Sequence, residues 1–195
     1  MSRGTRQRQL PFHGGPRTGA GRPRGNRVSH HQRPHFARVT PVHVTLRVKQ
    51  HVWNLRSARS WRRIRRAFEK ARGRFGARLI EYSVQGNHLH LIVEADGSDA
   101  LSRAMQGLAI RIAKALNAMM KRAGRVFDDH YFARLLRSPT ELVRAIAYVL
   151  GNHRRHFGEP GADAYSSAVL SPAERIEILC LPLGWLLRRA SPAPP

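Results

Sequence analysis

The chain of 195 residues contains one cysteine, Cys180. That excludes an intramolecular disulfide framework and a cysteine-rich zinc module, and it fits a reducing compartment. Acidic residues are also scarce: 12 Asp and Glu stand against 35 Lys and Arg, and the first acid in the chain is Glu69. No apolar run is long enough to span a bilayer. The apolar run near the end, residues 178–187, is interrupted by Pro182 and Gly184. The basic N-terminus has no apolar core behind it, so it does not read as a secretory signal. No membrane partner is expected.

What the chain does have is positive charge, formally +23 and mostly from arginine. Such an excess predicts a polyanionic partner, because each neutralised phosphate releases counterions. Arginine adds bidentate phosphate contacts and stacking on bases. Charge alone does not separate DNA from RNA. The length predicts one domain with tails, large enough to bury a core without staples.

Residues 1–40 hold no acid, are rich in Gly, Pro and Arg, and have the composition of a disordered basic tail. Within it, "GRPRG" places Arg22 and Arg24 around a proline. This resembles an AT-hook core, which lies in a narrow minor groove; a nonspecific basic tail is the alternative. Residues 41–157 are expected to form the working domain, with 158–195 as a C-terminal extension.

Four strands and two helices are predicted in the first part of that domain. "PVHVTLRV" (41–48) alternates apolar and polar residues, the period of a half-buried strand. Trp61, Ile64, Phe68, Ala71 and Phe75 recur at three or four, predicting a helix over 57–75 with an arginine-rich outer face. Strands follow over 78–85 and 87–95, joined at Gly86 and Asn87 as a hairpin. Ser98 is expected to cap a helix running to about Ala123, ended by Gly124. A fourth strand is expected over 130–137. The order strand, helix, strand, strand, helix, strand is the α+β ferredoxin-like split βαβ arrangement, a four-stranded antiparallel sheet with helices on one face. The other face is expected to be open for work.

A further helix begins at "SPTE", with Ser138 as cap, Pro139 in the first turn and Glu141 closing a capping box. Its apolar stripe is Leu142, Ile146, Val149 and Leu150, and Tyr148 projects away from it on the polar side. Asn152 lies four residues on, on the same face as Tyr148 if the helix continues. Beyond it, "AYSSA" reads as a loop, followed by a short helix and an apolar segment.

The chemistry-bearing stretch is "NHLHLIVEA" (87–95). Side chains two apart on a strand share a face. Leu89, Leu91 and Val93 therefore bury under the helices, and His88 and His90 share the other face with Ile92 beyond them. Two imidazoles so spaced can reach one divalent ion. They are equally a surface pair on a chain with 11 histidines, since two ligands do not make a site. Tyr148 and Asn152 likewise read either as nucleophile and oxygen ligand or as an interfacial tyrosine and a helix-ending asparagine.

The His-x-His strand after an Asn, with a later Tyr-x-x-x-Asn helix, resembles the HUH superfamily of single-strand DNA nickases. More narrowly it resembles the REP-associated branch of the single-tyrosine transposases. "NHLHLIVEA" is similar to that branch's Asn-His-Val-His-Leu-Leu strand. "RVFDDHYFARLL" is similar to the segment leading into its last strand, and "DAYSSA" to its Ser-Ser segment. "AYVLGNHRRH" stands where the branch has Tyr-Ile-x-x-Asn-Pro. The resemblance covers roughly residues 38–170. Two departures stand out: Gly151 before Asn152, expected to end the helix there, and His153 in place of the usual proline.

The resemblance implies that His88, His90 and Asn152 hold Mg²⁺ or Mn²⁺ and that Tyr148 is the nucleophile. It implies a nickase and strand transferase acting on single-stranded hairpin DNA through a 5′-phosphotyrosine. No small-molecule substrate is expected. The branch is expected to act as a monomer, with a dimer as the alternative, in the bacterial cytoplasm at the nucleoid. DNA contacts are assigned to Arg22, Arg24, Arg47, Arg62, Arg66, Arg134, Arg137, Arg154 and Arg155. A catalytically inactive hairpin-binding descendant is the competing reading. An RNA-binding ferredoxin-like module is disfavoured, because the site face carries His43, Thr45 and Arg47 where such a module presents stacking aromatics.

Overall fold

The computed structural model describes residues 35–157 and 161–190. Its elements are β1 (Thr40–Arg47), α1 (Ala58–Ala71), β2 (Ala77–Val84), β3 (His88–Ala95), α2 (Ser98–Met119), β4 (Phe132–Leu135), α3 (Pro139–Phe157), α4 (Pro172–Ile178) and α5 (Trp185–Ala190). The strands form one antiparallel sheet in the order β2-β3-β1-β4. This is the expected ferredoxin-like split βαβ. Among the described residues no helix is long and apolar enough to cross a membrane.

Alternation along the strands builds two cores. Val42, Val44 and Leu46 of β1 and Leu89, Leu91 and Val93 of β3 pack with Ile64 and Phe68 of α1 and with Leu101, Met105, Leu108 and Ile112 of α2. On the opposite face, Ile80 and Ile92 pack with Leu136, with Leu142 and Val149 of α3, and with Leu186 and Leu187 of α5. The face expected to be open is therefore partly roofed. The reason is Ile92, an apolar side chain on the histidine face, which the stripe of α3 buries completely.

β2 serves both cores through a bulge. Its pairing with β3 shifts between Leu79 and Glu81, leaving Ile80 as the extra residue. The shift lets Ala77 and Leu79 before it, and Tyr82 and Val84 after it, face the first core, while Ile80 joins the second.

Several element ends differ from the sequence reading. α1 is capped by Ser57, whose hydroxyl accepts from the Ser60 N–H at 3.2 Å, and it stops at Ala71 ahead of a turn at Gly73 with φ 65°. α2 begins after Gly97 and has no side-chain cap. The Ser98 hydroxyl instead accepts from the Phe36 N–H at 2.8 Å and donates to the Phe36 carbonyl, tying the preceding chain to the helix. α2 ends at Met119 rather than Ala123, because the Arg122 N–H turns back onto the Asn117 carbonyl at 2.9 Å and Lys121 takes a φ of 52°. Ser138 caps α3 as expected, accepting from the Glu141 N–H at 3.2 Å, and the Glu141 carboxylate accepts in return from the backbone N–H groups of Arg137 and Ser138.

The chain beyond α3 fastens onto the edge of β2. The Val84 N–H donates to the Tyr165 carbonyl (2.9 Å), the Cys180 N–H to the Leu79 carbonyl (2.8 Å) and the Tyr82 N–H to the Ser167 hydroxyl (3.0 Å). The "DAYSSA" loop is locked by Arg56, which makes a bidentate pair with buried Asp163 at 2.9 and 2.8 Å and lies 4.4 Å over the Tyr165 ring. Breaking a largely buried ion pair by removing one partner costs about 3–5 kcal/mol. Asp163→Ala is therefore expected to lower unfolding free energy by about 3–5 kcal/mol in urea denaturation, a loss that a solvent-exposed acid such as Glu177 would not produce.

Candidate active site

The register of the central strands assembles the site. On β1, Arg47 lies opposite His88, Thr45 opposite His90, and His43 opposite Ile92. On β4, Arg134 lies opposite His43. Above this row runs α3, held by Leu142 and Val149 in the second core. The sequence reading placed Tyr148 on the polar side of its helix. The structure turns it toward the sheet, where its ring meets His90 edge-on at 5.2 Å and His43 at 5.9 Å between centroids. His88 and His90 are perpendicular at 4.7 Å, and His43 and His90 lie 5.3 Å apart. Three imidazoles and one phenol thus form a single contact group, with His90 at its centre and only 5% exposed.

Hydrogen bonds assign the ring nitrogens. His88 Nδ1 lies 2.7 Å from the Asn87 amide oxygen. An amide oxygen only accepts, so Nδ1 is the donor, and in the neutral ring Nε2 keeps its lone pair. His90 Nδ1 lies 3.2 Å from both Thr45 Oγ1 and His43 Nε2. The His43 imidazole is held below the usual histidine pKa, first by burial and second by the Arg134 guanidinium.

α3 continues through Gly151, which does not end it. Its absent Cβ points into open space, with nothing within 4 Å, so Gly151 faces solvent while the opposite side of the helix stays packed. Asn152 is consequently fixed on a regular helix and is 1% exposed, with neither Nδ2 nor Oδ1 hydrogen-bonded among the described residues. Such a carboxamide is expensive to bury. An oxygen-seeking cation is one partner that removes the penalty. No group of three His, Cys, Asp or Glu side chains is arranged to hold a metal ion among the described residues. The donor types that His88, His90 and Asn152 would offer, two imidazole nitrogens and a carboxamide oxygen, fit a divalent ion of intermediate softness.

The arginines fall into three groups. Arg47 and Arg134 sit on the site face of the sheet and are exposed, and exposed Arg137 lies at the β4–α3 junction. Arg62 and Arg66 lie on α1, across the sheet from the histidines, where they line a cleft with Arg59, Arg63, Arg65 and Met119. Arg154 and Arg155 belong to the last turns of α3 but their side chains lie outside the described set, as do Arg22, Arg24 and all of residues 1–34. His43 is the neighbour that sequence reasoning left without a role. The alternation of "PVHVTLRV" puts it on the right face, but only the β1–β3 register shows that it reaches His90.

A split βαβ sheet with a His-x-His pair on a central strand, roofed by a tyrosine-bearing helix, defines the chain as a protein of the single-tyrosine transposase fold. More particularly, it belongs to the IS200-like transposase family, whose model matches residues 38–149, more than half of the chain. Among solved structures it is similar to a REP-associated tyrosine transposase bound to a REP hairpin, with a TM-score of 0.57 and 13% identity over 69% of this chain and 82% of that one. At that identity the likeness is one of fold. No curated protein matches the chain.

Because Gly151 occupies an exposed position inside a helix, Gly151→Ala is expected to raise stability by about 0.5–1 kcal/mol. Chemical denaturation measures this directly. A loss of stability instead would mean that α3 breaks at this point.

Proposed function

We propose that the chain is a metal-dependent, single-tyrosine DNA nickase and strand transferase acting on single-stranded DNA beside a hairpin. The observation that carries the proposal is the direct packing of the Tyr148 ring on His90, with His88 beside it. His88 and His90, through Nε2, and Asn152, through its amide oxygen, are the proposed ligands of Mg²⁺ or Mn²⁺; the two imidazoles favour Mn²⁺. When bound, the ion supplies Lewis-acid polarisation of the scissile phosphate and stabilises charge on the departing oxygen.

Tyr148 is the nucleophile. A tyrosine hydroxyl is a weak attacker until it is placed against a polarised phosphate. The two imidazole walls place it. In-line attack forms the Tyr148 O–P bond and breaks the bond from phosphorus to the 3′-oxygen. The tyrosine gives up one proton and the released 3′-hydroxyl takes up one, so protons balance. One phosphoester replaces another, so a second 3′-hydroxyl can reverse the step without ATP. Arg47, Arg134 and Arg137 are proposed to steer the strand into the site. Arg62 and Arg66, across the sheet, suit a more distant part of the hairpin, and Arg22, Arg24, Arg154 and Arg155 extend the same phosphate contacts. The DNA hairpin held by the similar transposase supports hairpin DNA as the substrate class.

The test is a denaturing gel of labelled hairpin DNA incubated with the protein and Mn²⁺. The wild-type chain is expected to carry a covalent DNA adduct that chelation prevents and Tyr148→Phe abolishes. An adduct that survives in Tyr148→Phe removes Tyr148 as the nucleophile. Hairpin binding with no adduct in any metal supports the inactive descendant.

A further inference from the structure

We propose that Phe132 is a stacking platform for one unpaired base of the substrate strand beside the scissile phosphate, and that Arg47 and Arg134 hold the phosphates flanking that base. This rests on the reading of the chain as a single-strand DNA nickase centred on His90 and Tyr148.

The placement follows from the sheet. Phe132 of β4 lies opposite Thr45 of β1, which lies opposite His90 of β3, so they form one row across the strands. Alternation along β4 sends Ala133 and Leu135 to the first core, and Phe132, Arg134 and Leu136 to the histidine face. Leu136 is 1% exposed beneath α3, whereas Phe132, at the start of the strand, is 48% exposed. The roof thus covers one end of β4 and leaves the other open. With neighbouring strands about 4.8 Å apart, the Phe132 backbone is about 10 Å from that of His90. A strand with its phosphate at Tyr148 can lay a neighbouring base on the ring.

A lone exposed phenylalanine needs no explanation. Here the surroundings point to a nucleobase. Among the described strands Phe132 is the one phenylalanine, tyrosine or tryptophan on the histidine face. Arg134 is next along that face of β4, Arg47 is the diagonal neighbour on β1, and both are exposed. Glu141 lies 3.5 Å from Arg134, an open pair that contributes little and yields readily to a phosphate. An apolar ring between two guanidinium groups matches a nucleotide, whose base is a flat π-face with a charged backbone running past it.

The contact serves orientation. Phosphate contacts alone let a protein slide along nucleic acid, and stacking accepts any base. The hairpin sets which nucleotide arrives, and the stacked base then holds the adjoining phosphate against rotation, in line with the Tyr148 hydroxyl. RNA-binding sheets of this shape carry several such rings; a single ring serves one base.

Fluorescence anisotropy of a labelled DNA hairpin with an unpaired flank, in EDTA so that the strand stays intact, measures binding apart from cleavage. Phe132→Ala is expected to bind about 5–150-fold more weakly than wild type. Its salt dependence is expected to be unchanged, since no charge is lost, and Phe132→Trp is expected to bind as tightly as wild type. The fluorescent base 2-aminopurine, walked through the flank, is expected to be quenched by the wild-type chain at one position and to stay bright there with Phe132→Ala. Near-UV circular dichroism checks that the variants are folded. A folded Phe132→Ala with wild-type affinity overturns the proposal; if it also sediments as a smaller species, the ring's partner is a second copy of the chain. Where the alanine variant fails to fold, a wild-type chain that quenches no position overturns the proposal equally. A wild-type chain that does not bind the hairpin overturns the substrate reading and the platform together. Quenching relieved by Phe132→Ala, with no covalent adduct once Mn²⁺ is added, supports the platform and removes the nickase reading.

Discussion

The structure depends on the two-residue period of β3. Leu89, Leu91 and Val93 go to one side, and His88, His90, Ile92 and Glu94 to the other. A slip of one residue would exchange these sets, burying imidazoles among leucines. The second set reads along the strand as site, core and anchor. Ile92 is the hinge of that sequence: it buries against the α3–α5 layer and thereby fixes the height and rotation of the helix that carries Tyr148. Glu94, fully buried, accepts from Arg78 Nε and from the N–H groups of Leu183 and Gly184, each at 2.8 Å, and so ties the start of α5 to the same strand. An apolar contact and a buried carboxylate together hold the Tyr148 ring over His90.

The charge distribution follows from where the acids are placed. Of the 12 acidic residues in the chain, Glu81, Glu94, Asp163 and Glu174 join distant parts of the fold by pairing with Arg175, Arg78, Arg56 and Arg65. Glu69, Asp96, Glu141 and Glu177 also sit in ion pairs. Acids committed to internal joints offset few of the outward arginines. The surface field is then more one-sided than the composition alone implies, which favours a phosphate backbone over a discrete anionic ligand. The α1 cleft and the row Arg47, Arg134 and Arg137 lie on opposite sides of the sheet, so a nucleic acid touching both must pass around its end.

The periodicity of the chain was enough to read the element order, because each strand and helix announces itself locally. What depended on distant partners was not readable in the same way. The bulge at Ile80 is invisible in "RLIEYSVQ" until its pairing with β3 is known. The roof over the histidine face follows from Ile92 needing cover, but nothing local says that α3 and α5 supply it. His88, His90 and Tyr148 were named from the sequence as a set, whereas the contact of His43 with His90 spans 47 positions and exists only through strand register. Gly151 shows the opposite error, a local signal overridden. A glycine in a helix interior costs about 1 kcal/mol relative to alanine, and the packing of Leu142 and Val149 outweighs it.

That override bears directly on Asn152. An asparagine on a frayed helix end would hydrogen-bond to water and cost nothing to keep, but it would have to be ordered each time a ligand arrived. Here the helix continues, the side chain is removed from water, and neither polar atom is hydrogen-bonded among the described residues. The penalty, about 1–3 kcal/mol for such a group, falls on the fold rather than on binding. Two cores back to back across one sheet can carry it; a single-faced sheet with an open back would have less to set against it. The second core therefore does more than complete the fold: it makes a buried, unsatisfied carboxamide tolerable.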